Sequence, residues 1–310
     1  MAKLRRNHAS RGSAASAGTI VKVSVFAAIL GGLVWGFREF GDTSAGGGAP
    51  GVSQVQTTGD ATYSGEAYFL PTGSDGQLVD HGGFVLAYNE EWEQADWVAY
   101  SLTRDHLQQQ WTERDDNFRE DPLVRTGSAT VGDYRGSGYD RGHLAPFGDF
   151  AWDAELADAT FYLSNVSPQA RQFNQGVWRE LEELTRDWAN RERQLYVVTG
   201  PVTTENPKFY IGRDNRVAVP RTYFKVLLDL EDPQQKGIGF VIPNEISFDP
   251  LTKYATSIDE VERLTGLDFF PDLMPDDLEE EIEAVGNPDF WLFSKKKYDR
   301  RMDQWNKVDQ

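Results

Sequence analysis

One stretch, Gly138-Tyr139-Asp140-Arg141-Gly142-His143-Leu144-Ala145-Pro146, sets a carboxylate, a guanidinium and an imidazole side by side. Histidine titrates near neutrality, so His143 can take a proton from water. The planar fork of Arg141 suits phosphate oxygens. Gly142 lets the backbone turn sharply between them. Asp140 stands too close to be a second base for the same water and reads as a group that orients a neighbour. The combination suits attack of water on a phosphodiester.

Further polar residues follow at intervals: Leu163-Ser164-Asn165-Val166-Ser167-Pro168-Gln169, then Phe173-Asn174-Gln175-Gly176-Val177-Trp178, then Leu181-Glu182 and Arg186. Each has a plain structural alternative. Asn174 stands where a helix N-cap would. Glu182 and Arg186 have the spacing of an exposed i,i+4 ion pair. Asn165 suits a turn. Trp178 reads as packing, and Arg135 and Arg171 are candidates to line a cleft.

Taken together, these segments resemble the DNA/RNA non-specific endonucleases, ββα-metal nucleases that include sugar-non-specific bacterial enzymes and the mitochondrial endonuclease. The resemblance spans residues 84–293. It implies His143 as general base and Arg141 on the phosphate. It implies Asn174 as ligand of Mg²⁺, with Mn²⁺ able to replace it. Mg²⁺ keeps several waters, so one amide oxygen plus substrate phosphate can suffice. Glu182 is implied as an acceptor behind the metal and Arg186 as a contact to phosphate or leaving group. Asn165 falls near the imidazole or phosphate, and Asp140 on the substrate side. The implied substrates are DNA and RNA. A small-nucleotide phosphodiesterase of this fold, or a catalytically idle scaffold, are the alternatives, and a homodimer stays open.

Composition sets the frame. The 310 residues, 39% of them hydrophobic, suffice for one large core. Absence of cysteine excludes disulfides and thiolate metal sites, and four histidines make a multi-histidine cage a poor fit. The net charge of −18 runs against the basic face expected of a nucleic-acid binder, so any basic surface must be local.

The elements that must position these residues form an α+β pattern: a mixed, mainly antiparallel central sheet flanked by helices, with a ββα-metal motif. Apolar runs at 84–88, 97–102, 195–199, 223–230 and 238–242 read as strands, with lesser ones at 129–134 and 217–219. Residues 134–139 read as a loop delivering the Asp-Arg-Gly-His segment. A short helix is expected at 154–160 and a long one at 173–190, where Val177, Leu181, Leu184 and Trp188 recur at helical spacing. A capping box at Ser257 starts another helix that Gly266 can end. Residues 275–284 read as a solvated acidic helix.

Residues 1–40 form a basic, acid-free start followed by an apolar run, Val23 to Phe37, of signal or anchor type. Residues 41–64 read as a flexible Gly/Ser/Thr/Ala linker and 65–310 as the nuclease domain. The positive-inside rule places the domain outside the cytoplasmic membrane, periplasmic or extracellular and anchored by this segment. A mitochondrial presequence, leading to the intermembrane space, shares the same basic start.

Overall fold

The structure is a computed structural model that describes residues 69–307. The expected N-terminal anchor and linker lie outside the described residues. Among those described, no helix is long and apolar enough to cross a membrane.

Seven strands form the central sheet. In chain order they are β1 (Gln77–Asp80), β2 (Val85–Asn89), β3 (Gln94–Thr103), β6 (Gln194–Pro201), β9 (Thr222–Asp229), β10 (Lys236–Pro243) and β11 (Ala255–Thr256), and spatial order follows chain order. Every pairing in it is antiparallel, in line with the expected mainly antiparallel sheet flanked by helices. Side chains alternate across a strand, and here both faces are apolar. One face sends Tyr100, Val197, Tyr223, Leu227 and Phe240 into one core; the other sends Val85, Trp97, Val198, Phe224, Val226 and Leu228 into a second. Helices must therefore cover both sides.

Between β3 and β6 the chain leaves the sheet and builds the candidate motif. Two short helices come first, α1 (Arg104–Leu107) and α2 (Val131–Tyr134). The second replaces the strand expected at 129–134: the Thr130 N–H and hydroxyl both donate to Asp133 Oδ2, at 2.9 and 2.8 Å, and this capping outweighs β-propensity. The ribbon β4 (Tyr139–His143) and β5 (Val166–Ala170) follows, with α3 (Phe147–Phe150) and α4 (Ala154–Ala159) inside the connection. Residues 173–178 form a wide helical turn broken at Gly176, and α5 (Arg179–Glu192) continues from it. Leu181, Leu184 and Trp188 of α5 pack on the first sheet face, at the spacing that predicts the helix.

A two-stranded patch, β7 (Tyr210–Ile211) with β8 (Val217–Ala218), supports the ribbon through a smaller core containing Tyr134, Val166 and Val217. The other sheet face is covered by α6 (Ile258–Thr265) and α7 (Asp276–Glu283). Ser257 caps α6 and Gly266 ends it at φ 74°, as the sequence suggests. The acidic helix α7 is not solvated all round: Ile282 and Glu283 are buried. The last helix, α8 (Lys295–Asp303), returns to α5, where Arg301 and Glu180 form a buried pair at 2.8 Å.

Candidate active site

The five residues of β4 alternate. Arg141 and His143 point to one side, Asp140 and Gly142 to the other. On the second side a Cβ at residue 142 would fall 2.1 Å from Gln169 Oε1. Glycine is there for close approach within an extended strand, which corrects the expected sharp turn. On the first side the His143 ring lies 5.3 Å from Phe118 and 5.0 Å from Phe161, and is only 9% exposed. Its Nε2 is buried with no hydrogen-bond partner among the described residues. Burial, then the Arg114 guanidinium, push its pKa down; Asp116 opposes, Arg141 adds, and the value falls to about 3. The imidazole is therefore neutral at pH 7, the form a base requires.

Asp140 lines the cleft and also orients its neighbours. Its Oδ2 accepts from Asn174 Nδ2 at 3.0 Å and from Gln175 Nε2 at 3.1 Å, and Arg171 lies 3.8 Å from Oδ1. Asn174 is no cap, because the turn starts one residue before Phe173, at Gln172. With its Nδ2 committed, Asn174 has Oδ1 to offer. It lines a cleft of about 680 Å³ with Asp140, Arg141, Phe118 and Asp116. Arg114, Arg135 and Arg171 join Arg141 there, four guanidiniums against two aspartates. Arg141 stacks 4.2 Å from the centre of the Phe118 ring, the ring that also covers His143.

Behind the cleft lies a charged layer. Arg186 donates to Asp149 Oδ1 at 2.7 Å, while Tyr100 donates to Asp149 Oδ2 at 2.7 Å. Arg186 is thus oriented by a buried carboxylate through one of its nitrogens. Half-buried Glu182 titrates at about 7: burial raises it, Arg186 and Lys225 lower it, Asp149 raises it and Arg114 lowers it. Arg114 therefore acts on both His143 and Glu182. Lys225 comes from β9, is 1% exposed, and has a buried Nζ without a hydrogen-bond partner among the described residues, 5.1 Å from the Trp178 ring. Burial drives its pKa down to about 8, against the pull of Glu182 and Asp149.

Asn165 is structural. Its Oδ1 accepts from Ala145 N–H at 2.9 Å, and its Nδ2 donates to the carbonyls of Ala145 and Thr160 at 2.9 and 2.8 Å. Both amide hydrogens are thereby committed, and these bonds hold Asn165 against the end of β4, next to the His143 segment. Trp178 is fully buried against Phe173 and Tyr223, as packing predicts. Arg114, Asp149 and Lys225 escape the motif-based reading. Only Lys225 carries a local signal, a cation inside the apolar run Tyr223-Phe224-Lys225-Val226-Leu227-Leu228.

The donor set fits a hard divalent cation. It offers the oriented amide oxygen of Asn174 in the cleft and the Glu182 carboxyl behind it, with no sulfur.

Comparison with known proteins places the chain in a family. The family model described as DNA/RNA non-specific endonuclease matches residues 65–276. Human mitochondrial endonuclease G is 38% identical over 211 residues, 64% of this chain and 71% of that one. A nuclease from a Nostoc species is 33% identical over 222 residues, covering 68% and 78%. The crystal structure of the EndoG/EndoGI complex contains a chain similar in fold. Its TM-score is 0.58 at 30% identity, over 66% of this chain and 89% of that one.

Proposed function

Because the chain belongs to the DNA/RNA non-specific endonuclease family, we propose that it cleaves both polymers with Mg²⁺ as the working ion, held through Asn174, and with Mn²⁺ able to replace it. One observation carries this reading: a neutral, buried His143 packs on Phe118, which lines a cleft together with Asn174 and four arginines. These groups address phosphate and not base edges, so cleavage with weak sequence preference follows.

The scissile phosphate enters between Arg141 and Arg114, which donate to its non-bridging oxygens. His143 takes a proton from water as the water oxygen attacks phosphorus in line. The P–O bond opposite breaks, the leaving oxygen is protonated from water, and His143 returns its proton to solvent. The divalent ion supplies, when bound, stabilisation of charge developing on phosphate and leaving oxygen. Asp140 fixes the amide of Asn174, whose Oδ1 would hold the ion. Glu182 contributes negative charge behind the site once pH exceeds about 7. Lys225 and Arg186 hold that charge in place.

The direct test is digestion of supercoiled plasmid and of RNA by residues 59–310, with and without Mg²⁺. Cleavage of both that stops in chelator supports the proposal. Hydrolysis of dinucleotides with neither polymer cut would contradict it.

The basic N-terminus and the run Val23 to Phe37 support a second part of the proposal, that the domain is exported and stays anchored outside the cytoplasmic membrane. Protease added to intact spheroplasts should degrade it. Protection until lysis would overturn the topology.

A further inference from the structure

On the sheet face opposite α5, three acidic side chains converge away from the cleft. Asp259 and Glu262 of α6 and Glu283 at the end of α7 each offer a carboxylate oxygen, all within 4.8 Å of one another. Helix starts favour acids, which alone accounts for Asp259. Glu283 is different. It is only 4% exposed, and its buried Oε1 has no hydrogen-bond partner among the described residues. A buried carboxyl without a partner among like charges is unfavourable unless something neutralises it.

The fold holds the three groups together. Ile258 and Ile282 both pack over Gly237 of β10, where a Cβ would meet them at 2.6 and 3.1 Å. Gly286, just after α7, presses on the backbone entering α6: a Cβ there would fall 2.0 Å from Thr256 C and O. The end of α7 is thereby drawn onto the start of α6, and Glu283 is carried in with it. The N–H of Phe269 donates to Glu262 Oε1 at 2.8 Å and orients that carboxylate. Glu279 and Asp268 add negative charge around the cluster.

We propose that Asp259, Glu262 and Glu283 form a calcium-class cation site, separate from the active site, that clamps α6 to α7. Oxygen ligands alone indicate a hard ion, and an irregular set of carboxylates suits Ca²⁺ better than Mg²⁺, which demands near-octahedral order. The competing neutraliser is a proton. Burial, then Glu262, Glu279, Asp259 and Asp268, push the Glu283 carboxyl up to about 9, so it is protonated at neutral pH when no cation is bound. Cation binding would then release that proton.

The test uses the full chain carrying Asn174→Ala, which weakens the active-site ion and isolates the second site. Ca²⁺ is titrated into chelated protein, with binding followed by calorimetry and unfolding by circular dichroism. The expected result is one equivalent bound and a rise in Tm of about 5–10 °C at a hundredfold excess over Kd. Both should vanish on adding Glu283→Gln or, separately, the exposed Asp259→Asn, which guards against a folding defect at the buried position. In the otherwise native chain, Asp259→Asn should leave plasmid cleavage unchanged. No saturable response to Ca²⁺, or one that survives both substitutions, overturns the proposal. So does a Tm that answers pH alone, which would assign the cluster to protons.

Discussion

At the residue scale, the site divides into groups placed to touch substrate and groups that place them. Asp140 belongs to the second kind, because it fixes the Asn174 amide. Asp140→Ala should raise the Mg²⁺ concentration needed for half-maximal rate by about 10- to 100-fold, with the rate at saturating metal less affected. An unchanged metal requirement would show that Asn174 is not the ligand or needs no orientation. Lys225 is a positioning residue of another sort, since its charge lowers the Glu182 pKa. Lys225→Met should move the acid limb of the pH–rate profile towards higher pH, and an unmoved limb would detach Lys225 from the site. The motif marked His143 and Arg141 as candidates in the sequence, because adjacent residues carry that chemistry, whereas Asn174 was marked through the family resemblance. Asp149 and Arg114 were not legible: they reach the site from distant segments, and nothing in their immediate neighbours marks them.

At the element scale, the strands of the central sheet and helix α5 were readable because hydrophobic period and burial agree in them. The ribbon was harder. Pro168 and the polar run around it suggest a loop, yet β5 pairs with β4 from Val166 to Ala170. Pairing at this ribbon's edge tolerates proline, and the Pro168 carbonyl is taken by Tyr223 Oη and Asn244 Nδ2, both at 3.0 Å. Asn165 belongs to this scale, because its amide ties the end of β4 to the turn before β5. Such tertiary use of a side chain leaves no sequence pattern. Asn165→Ala should destabilise the fold by roughly 1–3 kcal/mol for each backbone group left unpaired. It should shift the urea midpoint and leave the rate per folded molecule within a few-fold. A large loss of rate at unchanged midpoint would return Asn165 to the catalytic set.

At the scale of the whole molecule, the charge of −18 and a nucleic-acid substrate are compatible because the guanidiniums are gathered in one cleft. Buried acids also set how stability depends on pH. Glu283 titrates at about 9, and Glu180 and Glu182 at about 7, all above the ordinary 4.5. The folded state binds more protons than the unfolded at these positions, so they favour folding at low pH and lose that effect as pH rises through their folded values. His143 runs the other way. Its folded value, about 3, lies below the ordinary 6.5, so its contribution is present above 6.5 and is lost as pH falls below it. Between pH 8 and 5.5 the three raised carboxyls, one of them shifted as far as about 9, outweigh His143, His106 and Lys225, whose lowered values act the other way, and chelated protein should melt higher at pH 5.5 than at pH 8. A lower Tm at pH 5.5 would contradict these assignments. The central claim rests on His143 as the base of a metal-dependent nuclease, and its most direct test is plasmid cleavage by purified His143→Ala in saturating Mg²⁺. The account predicts a rate lower by about 10² to 10⁴ with an unchanged circular dichroism spectrum. Near wild-type turnover by that folded variant would contradict it.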